Sequence, residues 1–183
     1  MRSAVLLVGR DDSRWVTPGP TVDGTVRDAV ERIAPVVDDV VVSCPADRAE
    51  AVEAELGSSE YRLATDRVPD GGPVAGLRSG CRLARGQWTC VTATAAPVRP
   101  ELLTALFEAA DGDGAIARRD GHDRPLAAVY DTAAAIEAAE TTLGMGSRAM
   151  TVVLERLDVT VVPNPSPARA ADEADQPAGS GSS

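Results

Sequence analysis

The stretch Asp70-Gly-Gly-Pro-Val-Ala-Gly-Leu77, running on into Arg78-Ser-Gly-Cys-Arg-Leu-Ala84, opens as a loop and closes as a helix. Gly71 and Gly72 permit backbone angles and close approaches that a side chain forbids. Pro73 suits the first helical turn, where its missing N–H is not needed. From there Val74, Leu77, Cys81 and Ala84 recur at helical spacing. A glycine loop feeding a helix N-terminus leaves free N–H groups at the positive end of the helix dipole, where an anion docks. A plain helix start after a turn reads the same way.

Working outward, residues 3–8 form a short apolar run ending in Gly9, bounded like a buried strand. Residues 40–44, 61–65 and 88–93 read as three more strands. Between them lie two helices. In residues 25–33, Val26, Ala29, Val30 and Ile33 share one face and Pro35 stops the helix. In residues 47–56, Asp47 is placed to cap the start and Gly57 stands just past the end. Residues 97–107 hold a turn and a helix. Residues 115–118 and 126–130 read as a pair of strands around Asp120-Gly-His-Asp-Arg124. Residues 132–142 and 147–157 read as helices, and 159–162 as the last strand. Residues 1–162 are expected to form one domain, and residues 163–183, without periodicity, a flexible or disordered tail.

Alternating strand and helix imply right-handed crossovers. The expected fold is α/β: a three-layer, Rossmann-like, mostly parallel sheet with helices on both faces. Such sheets bind ligands outside the carboxyl ends of their strands. The loops to inspect are then residues 9–19, 43–47, 66–73 and 94–99.

Composition narrows the function. With 44% hydrophobic but only 3% aromatic residues, the core must be built from Val, Leu, Ile and Ala. All 18 basic residues are Arg, set against 28 Asp and Glu, a net charge of −10. That balance argues against nucleic acid or an anionic membrane as partner. An Arg-only, acidic composition fits a salt-adapted or GC-rich source. Cys44, Cys81 and Cys90 are odd in number and far apart, which reads as buried thiols in a reducing compartment. No apolar run approaches the ~20 residues of a membrane span, and the N-terminus lacks a signal-peptide layout. A cytoplasmic location is expected. One histidine, His122, and scattered cysteines argue against a zinc site. The oligomeric state stays open.

Several segments together resemble the MobA-like molybdenum cofactor guanylyltransferases, a nucleotidyltransferase family. Residues 7–15, Leu-Val-Gly-Arg-Asp-Asp-Ser-Arg-Trp, stand where the family has its strand and Gly-Gly loop. Gly72-Pro-Val-Ala-Gly76 corresponds to the family's G-P-L-A-G, and Pro125-Leu-Ala-Ala-Val-Tyr130 to its P-L-x-A-V-Y strand. Residues 146–157 resemble the helix that follows. The resemblance implies a nucleotide-diphospho-sugar transferase type of sheet. It also implies transfer of GMP from GTP to molybdopterin with Mg²⁺.

Carried over position by position, it places Val8, Gly9, Ser43, Asp66, Gly72, Pro73 and Gly76 on the nucleotide. Arg14 falls among the phosphates as the catalytic candidate, and Thr94 stands at the metal-binding aspartate. Arg118 and Arg124, beside Arg119, flank the Pro125 strand and fit an acceptor phosphate or a solvated basic turn. The chain departs from the pattern at three points. Arg10 replaces the second glycine, the motif lysine is absent, and Thr94 lacks the carboxylate charge. The alternative reading is therefore a catalytically inactive relative, acting as a nucleotide-binding or partner protein. Transfer to a different acceptor, a sugar phosphate or a lipid-linked alcohol, is a further possibility.

Overall fold

The computed structural model describes residues 1–9, 25–68, 70–94 and 98–164. They form strands β1 (Arg2–Leu7), β2 (Asp39–Pro45), β3 (Arg62–Asp66), β4 (Trp88–Ala93), β5 (Gly114–Arg119), β6 (His122–Asp131) and β7 (Val159–Pro163). The helices are α1 (Val26–Ile33), α2 (Ala49–Leu56), α3 (Gly72–Leu83), α4 (Pro100–Ala109), α5 (Thr132–Gly144) and α6 (Met150–Leu154). One sheet holds all these strands in the order β3-β2-β1-β4-β6-β5-β7.

β1 lies between β2 and β4 and runs parallel to both. It is covered on both faces, which is why its sequence is an unbroken apolar run rather than an alternating one. Side chains alternate across such a strand. Ala4, Leu6 and Val8 join one core with α1, α2 and α4, while Val5 and Leu7 join the other with α3, α5 and α6. These two cores are the two sheet–helix interfaces of a three-layer α/β/α sandwich. Gly80 of α3 sits directly on Val5: a Cβ there would stand 2.4 Å from Cγ1. The close approach lets α3 lie flat on the sheet.

The expected fold class is therefore present, with one strand reversed. β6 is antiparallel to β4 and to β5, and β7 returns parallel to β5. The turn between β5 and β6 is only Asp120-Gly121, both with positive φ (51° and 80°). A two-residue Asp-Gly turn is a tight hairpin link, so β6 begins at His122 and the loop expected through Arg124 is strand.

Two helix boundaries also shift. Asp47 does not cap α2. Pro45 leads into a 3₁₀ turn, Ala46–Arg48, and α2 starts at Ala49 behind Arg48. Gly57 does end it, with φ 56°. The expected helix over residues 147–157 shrinks to Met150–Leu154. Before it, Gly146 (φ 76°) donates to Leu143 O and Ser147 N–H to Thr142 O. That pair of bonds is a Schellman stop on α5.

The amino end of the sheet is held by a polar knot. Asp39 accepts from Ser3 Oγ at 2.8 Å, from Arg62 Nη2 at 2.6 Å and from the Arg85 amide at 3.2 Å. Ser3 Oγ in turn accepts from the Gly86 amide at 2.8 Å. Burial alone would raise the Asp39 carboxyl. The Arg62, Ser3 and Arg85 hydrogen bonds outweigh it and hold the group below its ordinary 3.8.

Candidate functional site at the carboxyl ends of the strands

Because β1, β2, β3 and β4 are parallel, their carboxyl ends share one edge of the sheet. The register sets Leu7 beside Ser43 on one side and beside Ala93 on the other. The pairing continues one step past β1: Val8 N–H donates to Ser43 O at 2.8 Å, and Thr94 N–H to Leu7 O at 3.2 Å. Val8, Ser43 and Thr94 thus stand side by side at one level. β3 delivers Asp66 to the same edge, opposite Pro45, and the chain turns there directly into α3.

The start of α3 is built as the sequence implied. Gly72 takes φ 64° and Pro73 occupies the first turn. Gly76 passes so close to the sheet that a Cβ would meet Leu7 Cδ2 at 3.1 Å. Ser43 Oγ donates to Gly76 O at 2.9 Å. Ser43 and Gly76 therefore clamp α3 to β1 and β2, and the Ser43 hydroxyl proton is committed to that clamp. Asp66 Oδ1 accepts the Val68 amide at 2.9 Å, shaping the loop into α3.

The site residues named from the sequence divide by location. Val8, Gly9, Ser43, Asp66, Gly72, Pro73, Gly76 and Thr94 gather at this edge. Arg14, with Arg10, Asp11 and Asp12, lies outside the described residues. Arg118 and Arg124 lie at the same end of the sheet on the β5–β6 hairpin, Arg124 one strand beyond β4 and Arg118 two. Arg118 Nε pairs with Asp123 at 2.6 Å, and that carboxylate raises the guanidinium above its ordinary value. Arg124 carries a buried Nε with no hydrogen-bond partner. His122 is exposed, its Nδ1 2.9 Å from Asp120 O.

One residue at the mouth escaped the sequence reading. Arg48, from the turn after β2, reaches across to Gly9 and donates from Nη1 to its carbonyl at 2.6 Å. The signal was a basic residue shortly after a parallel strand, one position beyond the loop 43–47 marked for inspection. It brings a cation to the glycine loop in a chain that has no lysine.

The residues described here do not assemble a metal site. Among them no group of three or more His, Cys, Asp or Glu side chains converges on a common point. Thr94 offers a neutral hydroxyl, and Asp66 is a carboxylate at the edge, one of its oxygens already held by Val68. A divalent cation needs several oxygen ligands, usually with carboxylates among them. The cradle is instead one of backbone amides, a helix N-terminus and arginine.

A mainly parallel sheet with a glycine loop and a helix start meeting at its carboxyl edge defines a nucleotide-binding α/β protein. Residues 24–160 match the MobA-like NTP transferase domain, and the chain belongs to that family. It is 33% identical over 168 residues to a probable molybdenum cofactor guanylyltransferase of Natronomonas pharaonis, covering 88% of this chain and 83% of that one. A probable molybdenum cofactor guanylyltransferase of Haloferax mediterranei is 30% identical over 142 residues, 74% of this chain and 68% of its own. Among solved structures, molybdopterin-guanine dinucleotide biosynthesis protein A from Archaeoglobus fulgidus superposes with a TM-score of 0.65 at 27% identity. That match covers 96% of this chain and 87% of the other. A nucleotidyl transferase from Methanothermobacter shares the fold at 21% identity and a TM-score of 0.66, over 89% and 87% of the two chains.

Proposed function

We propose that this chain transfers GMP from GTP to molybdopterin in molybdenum cofactor maturation. The observation that carries the reading is the convergence of the Leu7–Gly9 backbone with the Gly72-Pro-Val-Ala-Gly76 helix start, in a chain alike over nearly its whole length to relatives named for that activity. In the proposed reaction an oxygen of the molybdopterin phosphate forms a bond to the α-phosphorus of GTP. The bond from that phosphorus to the β-bridging oxygen breaks, and pyrophosphate leaves.

Val8, Gly9, Asp66, Gly72 and Pro73 form the proposed nucleotide face, with Ser43 and Gly76 fixing the wall behind it. Amides preorganised toward developing negative charge are worth more in such a cradle than in water. Arg48 and Arg14 are the proposed cations. Arg124, with its buried unpaired Nε, and Arg118 are proposed to face the acceptor phosphate. Enzymes of this family use a divalent metal. Magnesium is the proposed ion, and no step is assigned to it because the described side chains do not build its site. The described helices include none long and apolar enough to cross a membrane, and a cytoplasmic setting is part of the proposal.

The test is thermal unfolding in high salt with each nucleoside triphosphate, with and without MgCl₂, followed by a labelled-GMP transfer assay on molybdopterin. A ligand at 100 times its Kd adds about 2.7 kcal/mol, roughly 5–10 °C for a chain of this size. A shift selective for GTP together with transfer supports the proposal. Binding without transfer would make the chain a nucleotide-binding relative, the reading that Thr94 in place of a carboxylate favours. Transfer only to a sugar phosphate would change the acceptor.

A further inference from the structure

A second concave feature lies on the α5 side of α3, next to the strand edge. Between α3, α5 and the link from α5 to α6 is a cleft of about 390 Å³. Arg78 and Arg82, four residues apart on one face of α3, form one wall; Arg148 and Ser147 form the other. Arg148 is carried there by the Schellman stop at Gly146. Its backbone is packed against the start of α3, its carbonyl 3.6 Å from where a Gly72 Cβ would stand.

The charge in this cleft is opposite to that of the chain. Against a net −10 overall, three guanidinium groups face a single carboxylate, Glu140, which pairs with Arg82. Arg78 and Arg148 form no ion pair among the described residues. Arg78 Nε is buried and has no hydrogen-bond partner. A buried, unsatisfied donor on a cation is costly unless a ligand completes it. Ser147 Oγ accepts the Ala149 amide at 3.4 Å, which leaves its own proton to donate.

We infer that this cleft is a phosphate-binding site in its own right, lying on the α5 side of α3 and adjoining the strand-edge cradle at Val68 and Gly72. Two arginine forks without ion-pair partners, together with a hydroxyl in the same lining, match the tetrahedral, multiply charged oxygens of a phosphate group, which guanidinium binds in bidentate fashion. The volume is that of a small-molecule site. Val68 and Leu143 line it beside the arginines, so it has room for the apolar body of a phosphate ester.

Isothermal titration of the full chain with inorganic phosphate and with phenyl phosphate, at constant ionic strength in KCl, tests the inference. Saturable binding is expected. Arg78→Met and Arg148→Met are each expected to raise Kd at least ten-fold, while Arg32→Met, which removes the same charge from α1 on the opposite face of the sheet, leaves it unchanged. Methionine keeps the aliphatic stem packed, and the exposed Arg148 gives a second variant that is folded even where Arg78→Met is not. Tighter binding of phenyl phosphate assigns the site to a phosphate ester; equal binding assigns it to free phosphate. A GTP-induced rise in melting temperature, read on the same variants, keeps failure at the strand edge distinguishable from failure here. Absence of saturable phosphate binding, or binding undiminished in both Met variants, overturns the inference.

Discussion

Asp39→Asn tests how the sheet is held at the end away from the site. The Asp39 side chain is 7% exposed and its partner Arg62 28% exposed. The carboxylate joins β1, β2, β3 and the turn into β4 through Ser3, Arg62 and the Arg85 amide. Breaking a buried ion pair from one side costs about 3–5 kcal/mol. Arg62 reaches water and Asn retains one acceptor, so the expected loss is smaller, about 2 kcal/mol, near the value for a hydrogen bond to a charged group. For a chain of this length that is a fall of about 4–8 °C in melting temperature.

The pH dependence has a definite sign. The folded-state value of Asp39 lies below 3.8. Its contribution is therefore complete above 3.8 and is lost as pH falls through the lower folded value. Urea midpoints of wild type and Asp39→Asn, measured from pH 7 down to pH 3, should differ by a constant amount at first and converge below 3.8. A variant as stable as wild type at pH 7, or a gap that persists undiminished at pH 3, would refute the reasoning.

Three further outcomes are expected. Gly114→Ala should cost more than about 3 kcal/mol, because overpacking adds to an angle unsuited to a side chain. The new Cβ would lie 2.1 Å from Val129 O at φ 147°, and soluble yield with denaturant midpoint reads the effect. Burial pushes the thiols of Cys44, Cys81 and Cys90 up to about 11, 12 and 12. Stability should then be intact below 9 and decline as pH rises above it, since the unfolded chain ionises first. In a thiol-labelling assay at pH 8 all three should stay silent until the chain is unfolded. Ser43→Ala should cost about 1 kcal/mol through the lost clamp to Gly76, with any nucleotide-induced shift retained. A shift abolished in that variant would place the hydroxyl on the nucleotide.

What could be read from residues alone follows from where the information is local. β1 and β2 are buried on both faces, so their apolar runs are unbroken, and the core helix positions Val74, Leu77 and Cys81 recur at a clean period. All are fully buried. The direction of β6 depends on a two-residue turn, Asp120-Gly121, which composition marks only as a loop. The start of α2 was misplaced because Asp47 has the chemistry of a cap, while Pro45 sets a 3₁₀ turn that delays the helix. At the site, the Gly72–Gly76 loop was legible because glycine and proline carry backbone information directly. That Ser43 serves the wall, that Arg48 reaches Gly9, and that Arg78 and Arg148 meet across a cleft depend on contacts between segments distant in sequence. No local pattern encodes them.

The reversed strand has a consequence for how this scaffold can vary. On one side of β4 every rim loop continues into a helix, so changing its length displaces a packed element of the sandwich. On the other side β5 and β6 are joined at the rim by Asp120-Gly121, a two-residue turn that leads into no helix, and a Cβ added at Gly121 meets no atom within 4 Å. Insertions are accommodated there without repacking either core. The hairpin tip is thus the place where descendants of one ancestor can lengthen the mouth to suit a different acceptor, and where an engineer can graft a loop or open new termini at least cost.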